Sequence, residues 1–193
     1  MRNRDFITGK VPITKEEVRA ISINKLDLLN AKTFIDVGAG TGSISIEAGY
    51  HYPDLKVIAI ERNDDALDLV NKNIENFNLT NVEVVKAYAP VELDIYNDVD
   101  AIFLGGTGNK LEEIIDWSKD LLVPGGRLVA NFIIIDTFYE MLRLVREKGF
   151  KNVDVTVLNV SKLEKLGPGE YFKPHNPIYI ISCEKGVEED NEY

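Results

Sequence analysis

Seven consecutive residues, Asp36-Val37-Gly38-Ala39-Gly40-Thr41-Gly42, set an acid just ahead of a turn built from three glycines. Glycine has no Cβ, so such a turn lets the backbone come close to a ligand. A second acid, Glu61, stands one strand-helix-strand step further on. There it is placed to accept hydrogen bonds from the two hydroxyls of a ribose. Two ligand classes use this layout. A dinucleotide requires G-x-G-x-x-G, with its pyrophosphate at a helix N-terminus. Here the third glycine comes one position early, at 42, and the slot the pattern reserves for it holds Ser43. A carboxylate at Asp36 would repel a pyrophosphate but attract the methionine ammonium of S-adenosylmethionine. The loop therefore favours the methyl donor, and a dinucleotide such as NAD is the alternative.

The hydrophobic pattern supplies elements to hold these acids. Short apolar runs at 33–37, 56–60, 82–85 and 99–104 read as buried strands, the first and fourth ending in glycines. A helix is expected over 43–50, and another on Leu67, Val70, Ile74 and Phe77 behind a capping Asn63. Ile114, Ile115, Leu121 and Leu122 mark a helix closed by Pro124-Gly125-Gly126, before a fifth strand at 127–135. Met141, Leu142 and Val145 mark the next helix. Two last strands, 153–160 and 178–183, flank a loop at 166–177. Ahead of all this, Thr14 to Glu17 has capping-box spacing, with a helical stripe of Val18, Ile21 and Leu28 behind it. This order predicts an α/β fold: a doubly wound, mostly parallel sheet of seven strands with an antiparallel edge hairpin. Such a sheet binds ligands beyond the carboxyl ends of its central strands, where the glycines fall. One domain is expected over 1–186, with an acidic, frayed tail at 187–193.

Composition narrows the function. Thirty-two acids against 22 Lys plus Arg give a net charge of −10, which disfavours nucleic acid as a partner. Cys183 is the single cysteine, and His51 and His175 stand far apart, so no metal-ligand spacing exists. The most apolar run, 128–135, is far shorter than the ~20 residues of a membrane helix. The expectation is a soluble, cytoplasmic protein with no metal, no membrane and no nucleic-acid partner.

The motifs together resemble class I S-adenosylmethionine-dependent methyltransferases. Within them the chain is most similar to the decarboxylating precorrin methyltransferases of corrin synthesis. The likeness covers nearly the whole chain: Val11-Pro12-Ile13-Thr14, 35–42 (IDVGAGTG), 59–63 (AIERN), Ala89-Pro90, Leu104-Gly105-Gly106-Thr107-Gly108, Pro124-Gly125-Gly126-Arg127 and Asn176-Pro177. The first glycine loop is generic, whereas the second loop and the 11–14 segment are specific to this family. The resemblance implies a Rossmann-like fold and methylation of carbon 15 of cobalt-precorrin-6B or precorrin-6B, with loss of carbon dioxide from the ring C acetate. It also implies a tetrameric homo-oligomer. The implied donor site is Thr14, Asp36, Gly38, Ala39, Gly40, Thr41, Gly42, Glu61, Arg62, Tyr88 and Ala89. Tyr88 stands where many relatives have an acid, and Ala39 where they have cysteine. The tetrapyrrole would meet Gly105, Gly106, Thr107, Gly108 and Asn131, with a loop amide approaching a side-chain carboxylate.

No catalytic side chain is singled out. A sulfonium is already an activated leaving group, and a conjugated macrocycle can take up the electrons of a departing carboxylate. Lys162, Lys165, Lys173, His175, Arg2, Arg4 and Lys10 could offer cations to an anionic macrocycle. Arg127 could equally pair with an acid. The alternatives are a methyltransferase for tRNA, protein or a small molecule, and a non-catalytic S-adenosylmethionine-binding module.

Overall fold

The computed structural model describes residues 1–93 and 98–187. The expected acidic tail, apart from Val187, lies outside the described residues. The chain opens with helix α1 (Glu16–Leu26). Strands β1 (Thr33–Val37), β2 (Lys56–Glu61) and β3 (Val82–Lys86) then alternate with helices α2 (Ser43–His51) and α3 (Asp64–Asn76). Strand β4 (Val99–Leu104), helix α4 (Leu111–Leu121), strand β5 (Leu122–Phe132) and helix α5 (Ile135–Glu147) follow. The chain ends in β6 (Lys151–Leu158), β7 (Ser161–Leu166), β8 (Gly169–Pro174) and β9 (Ile178–Glu184).

Seven strands form one sheet in the order β3-β2-β1-β4-β5-β9-β6. Strands β1 to β5 pair in parallel, and β9 runs antiparallel between β5 and β6. Burial on both faces explains why the central strands read as continuous apolar runs. In β1, Phe34 joins a core with α1 and α2 residues such as Leu26, Ile44 and Ala48. Its neighbour Ile35 faces the opposite core, with Ile114 of α4 and Met141 of α5. The period of two puts Asp36 on the same side as Phe34, toward α2.

Five expectations are corrected. Thr14 is not a helix cap: Lys15 holds that position, without a side-chain cap hydrogen bond, and Glu17 engages Lys162 instead of reaching back. Helix α1 ends at Leu26, so Leu28 falls in a separate 3-10 turn. Pro124-Gly125-Gly126 lies inside β5, where an irregularity between Val99 and Ala101 in the partner strand absorbs it; α5 begins at Ile135, where strand was expected. The expected loop at 166–177 contains β8, which pairs with β7 in a hairpin separate from the main sheet. Asn63 does cap α3, accepting from the Ala66 N–H at 3.1 Å.

The N-terminal segment is anchored through a buried cation. Arg19 of α1 has no exposed surface. Its Nε donates to Glu47 of α2 at 2.5 Å, and its other nitrogens donate to Asn3 Oδ1, the Thr14 carbonyl and the Met1 carbonyl. The Phe6 ring covers its guanidinium at 4.7 Å. Removing one member of a buried pair strands the other, at a cost of about 3–5 kcal/mol. Arg19→Met should therefore lower the free energy of unfolding by about that amount in urea titrations. An unchanged midpoint would contradict this anchoring.

Candidate functional site

The site forms where β1, β2 and β4 end. Leaving β1, the chain bends back so that the Gly38 and Ala39 N–H groups donate to the Ile60 carbonyl, at 2.9 and 3.1 Å. Glu61, at the tip of β2, binds the same bend: its Oε2 accepts from the Gly40 N–H at 2.9 Å. Its Oε1 accepts from the Arg62 and Asn63 N–H groups at 2.7 and 2.9 Å. A carboxylate has about four acceptor sites, so three backbone donors fix this one and leave acceptor capacity for a ligand.

The second glycine loop leaves β4 alongside. The Gly105 and Gly106 N–H groups both donate to the Val37 carbonyl, at 2.9 and 3.2 Å. They are thus spent within the protein, and the expected approach of these two amides to a substrate carboxylate is corrected; Thr107 and Gly108 remain for that role. Gly38 has φ +73°, and a Cβ there would lie 2.8 Å from the Gly106 nitrogen. The two loops therefore meet backbone to backbone. This ridge separates a larger cleft of about 440 Å³ from a smaller one of about 180 Å³, with Gly38 in the wall of both.

The larger cleft gathers Thr14, Asp36, Ala39, Gly40, Thr41, Gly105 and Asn131. The smaller gathers Glu61, Arg62, Tyr88, Ala89, Gly106, Thr107 and Gly108. A third cavity of about 210 Å³ shares Gly105, Asn131 and the rest of the second loop with them. Gly42 lines none of the three; it caps α2 and lies against Val70 of α3. The Tyr88 ring sits between two cations, the Arg62 guanidinium at 4.7 Å and the Lys110 ammonium at 5.0 Å. Its hydroxyl reaches the second loop at Gly108, where any Cβ would collide with it. Val11 and Pro12 lie over the first loop at Gly40, and Asn73 of α3 ties the earlier residue Ile7 to the same loop: it accepts from the Ile7 N–H at 2.7 Å and donates to the Ile7 and Thr41 carbonyls, each at 3.0 Å.

A family model described as a precorrin methyltransferase domain matches residues 6–185. The chain belongs to the precorrin methyltransferase family. It is 44% identical, over 96% of both chains, to the cobalt-precorrin-6B C(15)-methyltransferase (decarboxylating) of Salmonella typhimurium. Among solved structures it is similar to the precorrin-6y C5,15-methyltransferase of Geobacter metallireducens, with a TM-score of 0.88, 38% identity and 96% of each chain covered. It is also similar to the precorrin 8W decarboxylase of Methanobacterium thermoautotrophicum, with a TM-score of 0.86, 31% identity, and 97% of this chain and 100% of that one covered.

In this member of the family Asp36 lies beneath the larger cleft, 1% exposed. Its Oδ2 accepts from Ser45 of α2, from the hydroxyl at 2.5 Å and from the N–H at 3.2 Å. Burial pushes its pKa up to about 7, against the pull of the Ser45 hydrogen bonds, and Glu61 adds a small push in the same direction. Burial likewise pushes the Cys183 thiol up to about 12, so it is no nucleophile.

The cations expected around the late loop are mostly engaged. Lys162 binds Glu17, Lys173 binds Glu164 at 3.1 Å, and Arg127 binds Glu184 at 3.0 Å. Asn131 donates to the Ser22 hydroxyl at 2.8 Å, while its buried Oδ1 has no partner among the described residues. Among the described residues no three His, Cys, Asp or Glu side chains group as metal ligands, and no helix is long and apolar enough to cross a membrane. Sequence reasoning missed Ser45, Asn73 and Lys15. Only Ser45 left a signal, one turn into the helix that follows the acid.

The Asp36 carboxyl makes a signed prediction. Its folded pKa is raised above the ordinary 3.8 to about 7, so the folded state holds the proton more tightly than the unfolded one. Its contribution therefore falls as pH rises from about 4 to about 7 and stays low above that. Asp36→Asn should be more stable than the wild type above pH 7, by an order of a few kcal/mol. The difference should vanish toward pH 4. Thermal melts across that range check this, and a constant offset would refute it.

Proposed function

We propose that this chain transfers a methyl group from S-adenosylmethionine to carbon 15 of cobalt-precorrin-6B and releases the ring C acetate carboxylate as carbon dioxide. The observation that carries this is the 44% identity, along 96% of both chains, with a decarboxylating cobalt-precorrin-6B methyltransferase. The geometry of the clefts supports it independently. An extended ligand laid across Gly38 would set its nucleoside in the smaller cleft, with its ribose at Glu61 and its adenine beside Tyr88 and Ala89. Its amino-acid end would enter the larger cleft over Asp36, among Thr14, Ala39 and Thr41. The two acids then meet the two ends that carry hydroxyls and ammonium. An ammonium over Asp36 would relieve the cost of ionising that buried carboxyl.

When bound, the donor supplies a methyl carbon already activated by its sulfonium. The chain must hold that carbon about 3–3.5 Å from its target, in line, and must keep water away. Phe103, Phe132 and Ile133 wall the larger cleft for that purpose. Ile133, Ile134 and Ile135 stand 61%, 59% and 51% exposed beside the third cavity. An uncovered apolar patch next to a cleft suits the face of a flat macrocycle. The titratable side chains in the wall of the larger cleft are Asp36 and Lys15. That suffices for a substrate that takes up the electrons of its own leaving carboxylate.

The β7–β8 hairpin supports the oligomer that the family likeness implies. Leu163 and Phe172 face each other across it and are 56% and 69% exposed. Phe172→Lys should shift sedimentation from a tetramer to smaller species; an unshifted profile would move the interface elsewhere.

The activity is tested by incubating the protein with cobalt-precorrin-6B and methyl-labelled donor, following both label transfer and carbon dioxide release. Neither product would mean another substrate. Glu61→Ala should raise the donor dissociation constant about tenfold or more, because hydrogen bonds to a charged group contribute about 1.5–3 kcal/mol. Unchanged affinity would remove Glu61 from the ribose site.

A further inference from the structure

The acids and cations around the larger cleft are almost all engaged with one another. Lys162 takes up Glu17 and lies 3.9 Å from Glu16, which also accepts the Asn3 N–H. Lys15 differs. It is the one cation in the wall of the larger cleft, and among the described residues no carboxylate forms an ion pair with it. Its ammonium instead donates to His175 Nδ1 at 2.5 Å. His175 is itself fixed where the chain leaves β8, its backbone N–H donating to the Val160 carbonyl at 2.9 Å. An ammonium carries three N–H donors, so one is committed to holding the side chain and two remain. A half-buried cation with no ion-pair partner among the described residues, steered by an imidazole nitrogen, is a receptor for an anion.

We propose that Lys15 and His175 form a carboxylate-recognition site in the larger cleft. Lys15 makes the contact, and His175 is the residue that positions it. The site rests on the reading of that cleft as the seat of the donor's amino-acid end and of the substrate's edge. Both ligands bring carboxylates there: the donor its α-carboxylate, the macrocycle its acid side chains. Asp36 beneath the same cleft meets the opposite charge, so the two groups together read a zwitterion or orient a polyanion.

The experiment compares wild type, Lys15→Met, Lys15→Arg, His175→Asn and His175→Ala. Calorimetry gives the dissociation constants for S-adenosylmethionine and for its decarboxylated analogue. Turnover gives KM for cobalt-precorrin-6B. Lys15→Met should weaken one ligand by about tenfold or more, and Lys15→Arg should recover most of the loss. A loss confined to intact donor, with the decarboxylated analogue binding as in wild type, assigns the site to the donor carboxylate. A raised KM with donor binding unchanged assigns it to the substrate. His175→Asn, which keeps an acceptor near the Nδ1 position, should stay closer to wild type than His175→Ala. Donor affinity and KM both within about twofold of wild type in Lys15→Met would overturn the proposal while leaving the enzymatic reading intact. A wild type that neither binds donor nor turns over the macrocycle would take both down together.

Discussion

The contact between Gly38 and Gly106 governs the rest of the site. Two loops leave adjacent parallel strands, β1 and β4, whose spacing is set by the sheet at about 4.8 Å. At that separation two turning backbones can both lie over the strand ends only if neither carries a side chain at the crossing. The Gly38 conformation and the 2.8 Å approach to the Gly106 nitrogen express this constraint. The Val37 carbonyl reinforces it by accepting from Gly105 and Gly106 together. The result is a ridge of bare peptide with a cleft on either side. The proposed division into a nucleoside half and an amino-acid half rests on this ridge.

The acids fall on opposite sides of the ridge because of strand geometry. Asp36 shares a face with Phe34 and so turns toward α2, where Ser45 meets it. Glu61 ends β2, one strand further from the ridge, and is gripped by three N–H groups. The two carboxyls face different settings. Glu61 accepts from three backbone N–H groups. Asp36 is deeply buried, which disfavours its anion. Under the proposed function, a cationic group entering above Asp36 would supply the compensation that the protein withholds.

The framework and both acids were legible because each has a local signature. Buried parallel strands leave apolar runs, and a strand-to-helix turn leaves glycines. The misreadings share a physical origin too. Pro124-Gly125-Gly126 looks like a terminator but acts as a bulge, since strand pairing to β4 resumes beyond it at Arg127. The run from 127 to 135 looks like one strand because the last three isoleucines are as apolar as a core, yet they are exposed and carry the chain into α5. The hairpin of β7 and β8 has little core to bury, so it shows no alternation that would set it apart from a loop. Thr14 has the right spacing for a cap, but Arg19 claims its carbonyl and draws the segment toward the buried Arg19–Glu47 pair. No window of a few residues contains that long-range competition.

The charge of −10 poses a question for the proposed polyanionic substrate, and the arrangement of groups bears on it. Exposed charges act over about 8 Å at physiological ionic strength, so the field at the cleft mouth is set by its near neighbours and little by the total. Of the acids nearest the clefts, Glu61 is compensated by three amides and Glu17 by Lys162. Burial pushes the Asp36 carboxyl up to about 7, so it carries only part of a negative charge near neutral pH. Each cleft also carries a cation beside its acid: Lys15 on one side of the ridge, and Arg62 on the other, with Lys110 also near the Tyr88 ring. A chain that is acidic as a whole therefore still sets a cation in the wall of each cleft. The many acids on its remaining surface discourage the same ligands from settling anywhere else.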